Sequence, residues 1–134
     1  MSSLLPMNAR LHYAFLFLAA LAQVYGTKDW LSLQAFSMQT GFVPQGYLEE
    51  IACTLRKAGI IKARRGVHGG YQLLHTPSAI NLYDVVVALE VSIPLCGGMS
   101  CARHGCQLKK IWQRLQEGVD AELRSMTLQD LIVL

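Results

Sequence analysis

Apolar positions crowd the start of the chain and then settle into helical and alternating spacings. In residues 8–25, NARLHYAFLFLAALAQVY, nearly every position is apolar, with His12 and Gln23 interrupting the ends. The pattern predicts a helix from about Asn8 to Tyr25, apolar and therefore buried on nearly every side. After Gly26, DWLSLQAFSMQTG reads as a short helix: Ser32 supplies the cap, Leu33, Phe36 and Met38 the apolar contacts, and Gly41 the stop. In FVPQGYLEEIACTLRKAG, Pro44 sits near the first turn. Tyr47, Leu48, Ile51, Leu55 and Ala58 follow at helical spacing, and Gly59 closes the helix. Two short helices joined by a turn at Gly41 form a helix-turn-helix pattern.

The period then changes. IIKARRGVHGGYQLL predicts two short strands, Ile60 to Arg64 and Tyr71 to Leu74, joined by a loop holding Gly66, Gly69 and Gly70. A β-hairpin directly after the second helix is the wing of a winged helix-turn-helix. NLYDVVVALE returns to helical spacing, with Leu82, Val85, Val86 and Leu89 inward. In CQLKKIWQRLQEGVDAELRSM, Leu108, Ile111, Trp112, Leu115, Val119, Leu123 and Met126 recur every three or four residues. A helix of about 20 residues is about 30 Å long, more than a small winged domain needs, so its apolar stripe is expected to pack against a second copy. TLQDLIVL adds a last short helix capped by Thr127. The expected fold is mainly α with a small β-hairpin (α+β). A winged helix-turn-helix occupies residues 8–80, with its wing at 60–74. Residues 81–134 hold a loop at 92–106 and a dimerisation helix, all within one domain. A two-fold homodimer suits the pseudo-palindromic sites that such proteins read on double-stranded DNA.

Composition sharpens this picture in two places. A chain of 134 residues buries about two-thirds of the surface that its unfolded form exposes. Its 52% hydrophobic and 16% charged content argues against disorder and leaves an apolar surplus for a protein–protein surface. The net charge of +3 is mild, yet it is concentrated. Lys62, Arg64, Arg65 and His68 lie on the wing, and Arg56 and Lys57 end the preceding helix. That is where a duplex would lie; the bland alternative is a solvated surface hairpin. Residues 4–26 also admit a signal-peptide reading, with Arg10, an apolar run and Ala20-Leu21-Ala22 as a cleavage-like site, though the run is too short to span a bilayer.

The stretch PLCGGMSCARHGCQLKK places Cys96, Cys101 and Cys106 with four residues in each gap. Three thiols are one short of a tetrahedral metal site. A metal site completed elsewhere, a redox switch and a cysteine-rich loop are all open on these residues alone. The fourth cysteine, Cys53, lies beside Ile51 and Leu55 and reads as a small core residue. No nucleophile–base pair or phosphate loop points to an enzyme.

Taken together, HYAFLFLAALA, GYLEEIACTLRKAGIIKARRGVHGGYQL, INLYDVVVALE, the three cysteines and TLQDLI resemble the iron–sulfur regulators of the IscR/NsrR type, winged-helix transcription factors of bacteria. The likeness covers about Asn8 to Leu131, and its most specific element is the Arg-Gly-x-x-Gly-Gly-Tyr wing ahead of the cysteine triad. The resemblance implies a cytoplasmic protein with no membrane association. It also implies an iron–sulfur cluster, 2Fe–2S or 4Fe–4S, held by Cys96, Cys101 and Cys106. The gaps are one residue shorter than is common in those regulators. The IscR-type histidine position is Lys109 here, whereas the position of the NsrR-type acidic ligand, reaching across the dimer, is His12. His12 of the partner subunit is therefore the expected fourth ligand, with His104 as local competitor.

Gln45, Gly46, Tyr47 and Glu49 open the recognition helix, the end that meets base edges. Gln45 suits adenine and Glu49 suits cytosine. Arg65 matches the wing arginine expected in the minor groove, and Arg64 is expected on phosphate. Tyr47 is equally suited to packing. Three rivals stand beside this reading: structural zinc on the same cysteines, a cluster-free sensor using a Cys96–Cys101 disulfide, and an iron–sulfur carrier or electron-transfer module.

Overall fold

A computed structural model describes residues 9–41, 43–89 and 107–133. Its helices are α1 (Ala9–Gln23), α2 (Leu33–Gln39), α3 (Gln45–Lys57), α4 (Leu82–Ala88), α5 (Gln107–Ser125) and α6 (Leu128–Val133). The strands β1 (Ile61–Arg64) and β2 (Gly70–Leu73) pair antiparallel between α3 and α4, in the register Ile61–Leu73, Lys62–Gln72, Ala63–Tyr71 and Arg64–Gly70. The arrangement is the expected mainly helical one with a single small hairpin.

Local chemistry explains most boundaries. The Ser32 hydroxyl accepts from the Ala35 N–H at 3.1 Å and starts α2. Gly41 ends its turn at φ +87°, a left-handed conformation open to glycine without a Cβ clash. Asn81 caps α4 by accepting from the Tyr83 N–H. Ahead of α6, the Asp130 carboxylate accepts from the backbone N–H of Thr127 at 2.8 Å and from its hydroxyl at 3.5 Å, so the aspartate reaches back and the threonine hydroxyl donates to it, where the sequence has the threonine itself as the cap.

The core is assembled from one stripe of each element. Ala14, Phe17, Leu18 and Leu21 of α1 meet Leu33 and Phe36 of α2, Leu48, Ile51 and Leu55 of α3, and Ile61 and Leu73 of the hairpin. Phe17 lies between Phe36 (5.1 Å between ring centroids) and Tyr71 (5.7 Å), both within the range at which ring pairs attract. Arg10 ties the start of α1 to α3, donating to Thr54 Oγ1 at 3.2 Å and lying 3.9 Å from the Glu50 carboxylate. The α4 stripe is inward as expected, with Leu82, Val85, Val86 and Leu89 all buried.

Three expectations are corrected. Helix α1 is buried on one face and not all round: Leu16 is 38% exposed and His12 also faces out, because the rest of the chain covers a single side. Met38 is exposed, since the contacts of α2 run through Leu33 and Phe36, and position 38 turns away from that stripe. Cys53 is only half-buried, because the inward position between Ile51 and Leu55 belongs to Ala52.

Helix α5 is anchored at its C-terminal end. Asn81 donates to the Arg124 carbonyl at 2.7 Å, the Leu82 N–H donates to the Met126 carbonyl at 3.0 Å, and the Arg124 guanidinium lies 4.1 Å from the Tyr83 ring centre. Towards its start, Leu108, Ile111 and Leu115 are each about half exposed, at 56%, 54% and 49%. With Val119, Leu123 and Met126 they continue the apolar stripe along the helix. Ile111, Leu115, Val119, Leu123 and Met126, with Arg114, Gly118 and Glu122 beside them, line an open groove along it. No helix among the described residues is long and apolar enough to cross a membrane.

Candidate nucleic-acid interface

The start of α3 is built to stay open. Pro44 occupies its capping position and offers no side-chain cap, while its carbonyl accepts from the Tyr47 and Leu48 N–H groups at 3.1 and 3.2 Å. Gln45, Gly46 and Glu49 are exposed on these opening turns. Tyr47 differs. It is half-buried and meets the ring of Tyr13 edge-on, with centroids 6.0 Å apart, so packing is its observed role.

The wing comes close to this helix end. Ser32, Leu33, Gln45, Glu49, Gly66, Gly69, Gly70 and Tyr71 line one surface groove. A second groove, lined by Lys28, Asp29, Trp30, Ser32, Arg64, Val67, His68 and Gly69, adjoins it. The two share Ser32 and Gly69, so the exposed end of α3 and the basic wing form a continuous surface. Arg64, Arg65 and His68 are exposed on the wing, and Arg56 is exposed in the last turn of α3.

The paired glycines of the wing have a steric basis. A Cβ at Gly69 would lie 2.1 Å from the Arg64 carbonyl oxygen, and one at Gly70 would lie 2.6 Å from the Leu31 carbonyl. Both obstructions are backbone. Gly69 closes the loop, its N–H donating to the Gly66 carbonyl at 3.0 Å, while Gly70 lets a third segment approach. That segment is residue 31: Leu31 and Tyr71 exchange backbone hydrogen bonds of 3.1 and 2.8 Å in an antiparallel bridge.

Sequence reasoning missed this bridge, and with it Lys28 and Trp30 as neighbours of the wing. A single paired residue leaves no alternating pattern, and the nearest signal was the aromatic-aliphatic pair Trp30-Leu31 just ahead of the Ser32 cap. Tyr71 is half-buried at the edge of the first groove, where burial, aided by the Glu49 carboxylate and opposed by Arg56, pushes its phenol above the usual 10.0.

Of the expected metal ligands, His12 is exposed on the outward side of α1, one turn before Leu16, and its ring meets that of Tyr13 at 5.4 Å. Cys96, Cys101, Cys106 and the competitor His104 lie outside the described residues. Among the described residues no group of three or more histidine, cysteine or acidic side chains is gathered to hold a metal.

The chain is 39% identical over 92 residues to the HTH-type protein slr0846 of Synechocystis sp., a match covering 66% of this chain and 63% of the relative. It thus spans somewhat under two-thirds of that relative's length. Among solved structures, CymR, described as the global cysteine regulator of Bacillus subtilis, superposes with a TM-score of 0.77 at 30% identity, over 96% of each chain. IscR of T. potens superposes with a TM-score of 0.77 at 29% identity, over 95% of this chain and 85% of that one. The model of the Rrf2 family, described as iron-dependent transcriptional regulators, matches residues 7–133. With that match spanning nearly the whole sequence, and with the winged arrangement of α2, α3 and the hairpin, the chain belongs to the Rrf2 family of transcriptional regulators.

Proposed function

We propose that this chain is a cytoplasmic, DNA-binding transcription regulator that acts as a homodimer on a pseudo-palindromic operator and responds through an iron–sulfur cluster. The observation that carries the DNA-binding part is the continuous surface joining the uncapped end of α3 to the wing, where Gln45 and Glu49 share a groove with Gly69 and Gly70. In this reading Gln45 and Glu49 meet base edges in the major groove, with Gly46 allowing close approach. Arg65 enters the minor groove, and Arg56, Arg64 and His68 contact the phosphate backbone. Tyr47 supports the helix from behind through Tyr13. The half-exposed apolar stripe of α5 supplies the surface for the second copy.

For the cluster, the donor set is chemically suited: Cys96, Cys101 and Cys106 supply thiolates, and His12 supplies an exposed imidazole on the outward side of α1. Such a group, when bound, gives the protein a centre sensitive to redox state, iron supply or nitric oxide. His12 sits on the same exposed side of α1 as Leu16, so in the homodimer it is available to the partner's cysteines. Anaerobic purification with absorbance and iron analysis, followed by DNA binding with and without iron, tests the reading. A colourless, iron-free protein that stays so after reconstitution would overturn the cluster, and loss of colour in His12→Ala is the expected sign of its ligation.

A second reading is a cluster-free regulator in which Cys96 and Cys101 form a reversible disulfide. It draws on the likeness to CymR, described as the global cysteine regulator of Bacillus subtilis. Thiol counting before and after mild oxidation separates the two.

A further inference from the structure

We propose that Trp30 is a positioning residue for DNA binding, which holds Lys62 and Arg64 together as a phosphate-binding pair at the base of the wing. The inference rests on the DNA-binding reading above and is independent of the cluster. It begins with register. Leu31 bridges Tyr71, so Trp30 stands opposite Gln72, and Gln72 is paired with Lys62. The Gln72 side-chain amide fixes the row by donating to the Asp29 carbonyl at 2.8 Å.

Side chains alternate across a sheet, so Trp30, Gln72 and Lys62 share one face, with Arg64 two residues along β1. The other face sends Ile61 and Leu73 into the core. On the outer face the Lys62 ammonium and the Arg64 guanidinium each lie 5.7 Å from the centre of the Trp30 ring. Both distances fall inside the about 6 Å at which a cation is attracted to an aromatic face.

This arrangement puts two like charges on a single indole. Neither cation forms an ion pair among the described residues, where the recorded ion pair is Arg10 with Glu50. Both side chains are exposed, and Trp30 is half-buried. Lys28 and His68 line the same groove as Trp30 and Arg64, with Asp29 the one carboxylate among them. Mutual repulsion of Lys62 and Arg64 is relieved by an anion between them, and the groove adjoins the one that holds Gln45 and Glu49. A phosphodiester of a bound duplex meets those terms.

The indole's contribution is preorganisation. Ordering a long, flexible side chain on binding carries an entropic cost, and a cation already resting on a ring avoids part of it for each of the two residues.

The test is fluorescence polarisation of a labelled mixed-sequence duplex, titrated with the full chain over a range of salt concentrations. Phosphate contacts do not depend on sequence, so no operator is needed. Trp30→Leu is expected to weaken binding about 5-fold in the otherwise wild-type chain, and by less than about 2-fold when Lys62→Ala and Arg64→Ala are already present. Trp30→Phe, which keeps an aromatic face, is expected to restore most of the affinity. Lys62→Ala and Arg64→Ala should each reduce the salt slope by about 1.

Equal weakening by Trp30→Leu in both backgrounds would mark a purely structural role and overturn the proposal. So would unchanged affinity in the otherwise wild-type chain. Should Trp30→Leu not fold by circular dichroism, an unchanged salt slope in Lys62→Ala/Arg64→Ala would overturn it instead. Failure of the wild-type chain to bind any duplex would remove the DNA-binding reading along with this one.

Discussion

Replacing Gly69 with alanine adds one methyl group at the point where the wing loop folds back on β1. The new Cβ would stand 2.1 Å from the Arg64 carbonyl oxygen and 2.9 Å from the carbonyl carbons of Arg64 and Arg65. All three are backbone atoms, so no rotamer change relieves the contact. Restoring ordinary separation requires the strand end or the loop to move by about 1.3 Å, and overpacking of that kind costs about 1–3 kcal/mol. The hydrogen bond from Gly69 to Gly66 would stretch with it. For a domain of this size the loss corresponds to a fall in Tm of roughly 4–12 °C.

The displaced atoms belong to Arg64 and Arg65, so affinity for duplex DNA should fall together with stability. Gly46→Ala is the comparison for stability: its Cβ meets nothing within 4 Å, and removing a helical glycine is worth roughly 0.5–1 kcal/mol in the opposite direction. Thermal melts followed by circular dichroism, with polarisation binding alongside, measure both effects. A Gly69→Ala chain that melted within a degree of wild type and bound DNA equally would refute the steric argument.

Further outcomes are expected elsewhere in the chain. Ser32→Ala should destabilise by about 1 kcal/mol through loss of the cap on Ala35, read from urea midpoints. An unchanged midpoint would show that water replaces the hydroxyl without loss. Because the Tyr71 phenol is raised from 10.0, its contribution is intact below about pH 10 and is lost as pH climbs through the folded value. Tyr71→Phe should flatten that part of the alkaline fall in stability, and an identical fall in both chains would count against it. Leu115→Glu puts a charge on the half-exposed stripe of α5 and should weaken self-association at least about 30-fold. Sedimentation that left the variant as strongly dimeric as wild type would place the interface elsewhere.

Much of this protein is legible in the chain because its signals are local. A serine at position 32 and glycines at 41 and 59 each satisfy or terminate a helix within a few residues, and those boundaries fall where the sequence puts them. The hairpin is likewise announced by its glycine-rich loop. The three closely spaced cysteines are legible as a motif, while their arrangement falls outside the described residues.

Burial and neighbourhood are different, since they depend on what arrives from afar. Composition alone sees the first helix as apolar all round, yet the packing of α2, α3, α6 and the hairpin against it chooses Phe17 and Leu18 for the core and leaves Leu16 and His12 outside. The same holds for Ala52 being inward where Cys53 is not. Trp30 gives no sign in the sequence of belonging to the wing. One backbone bridge between residues 31 and 71 sets it across Gln72 from Lys62, and the cation-bearing face exists because that register makes three distant residues share one side of a sheet.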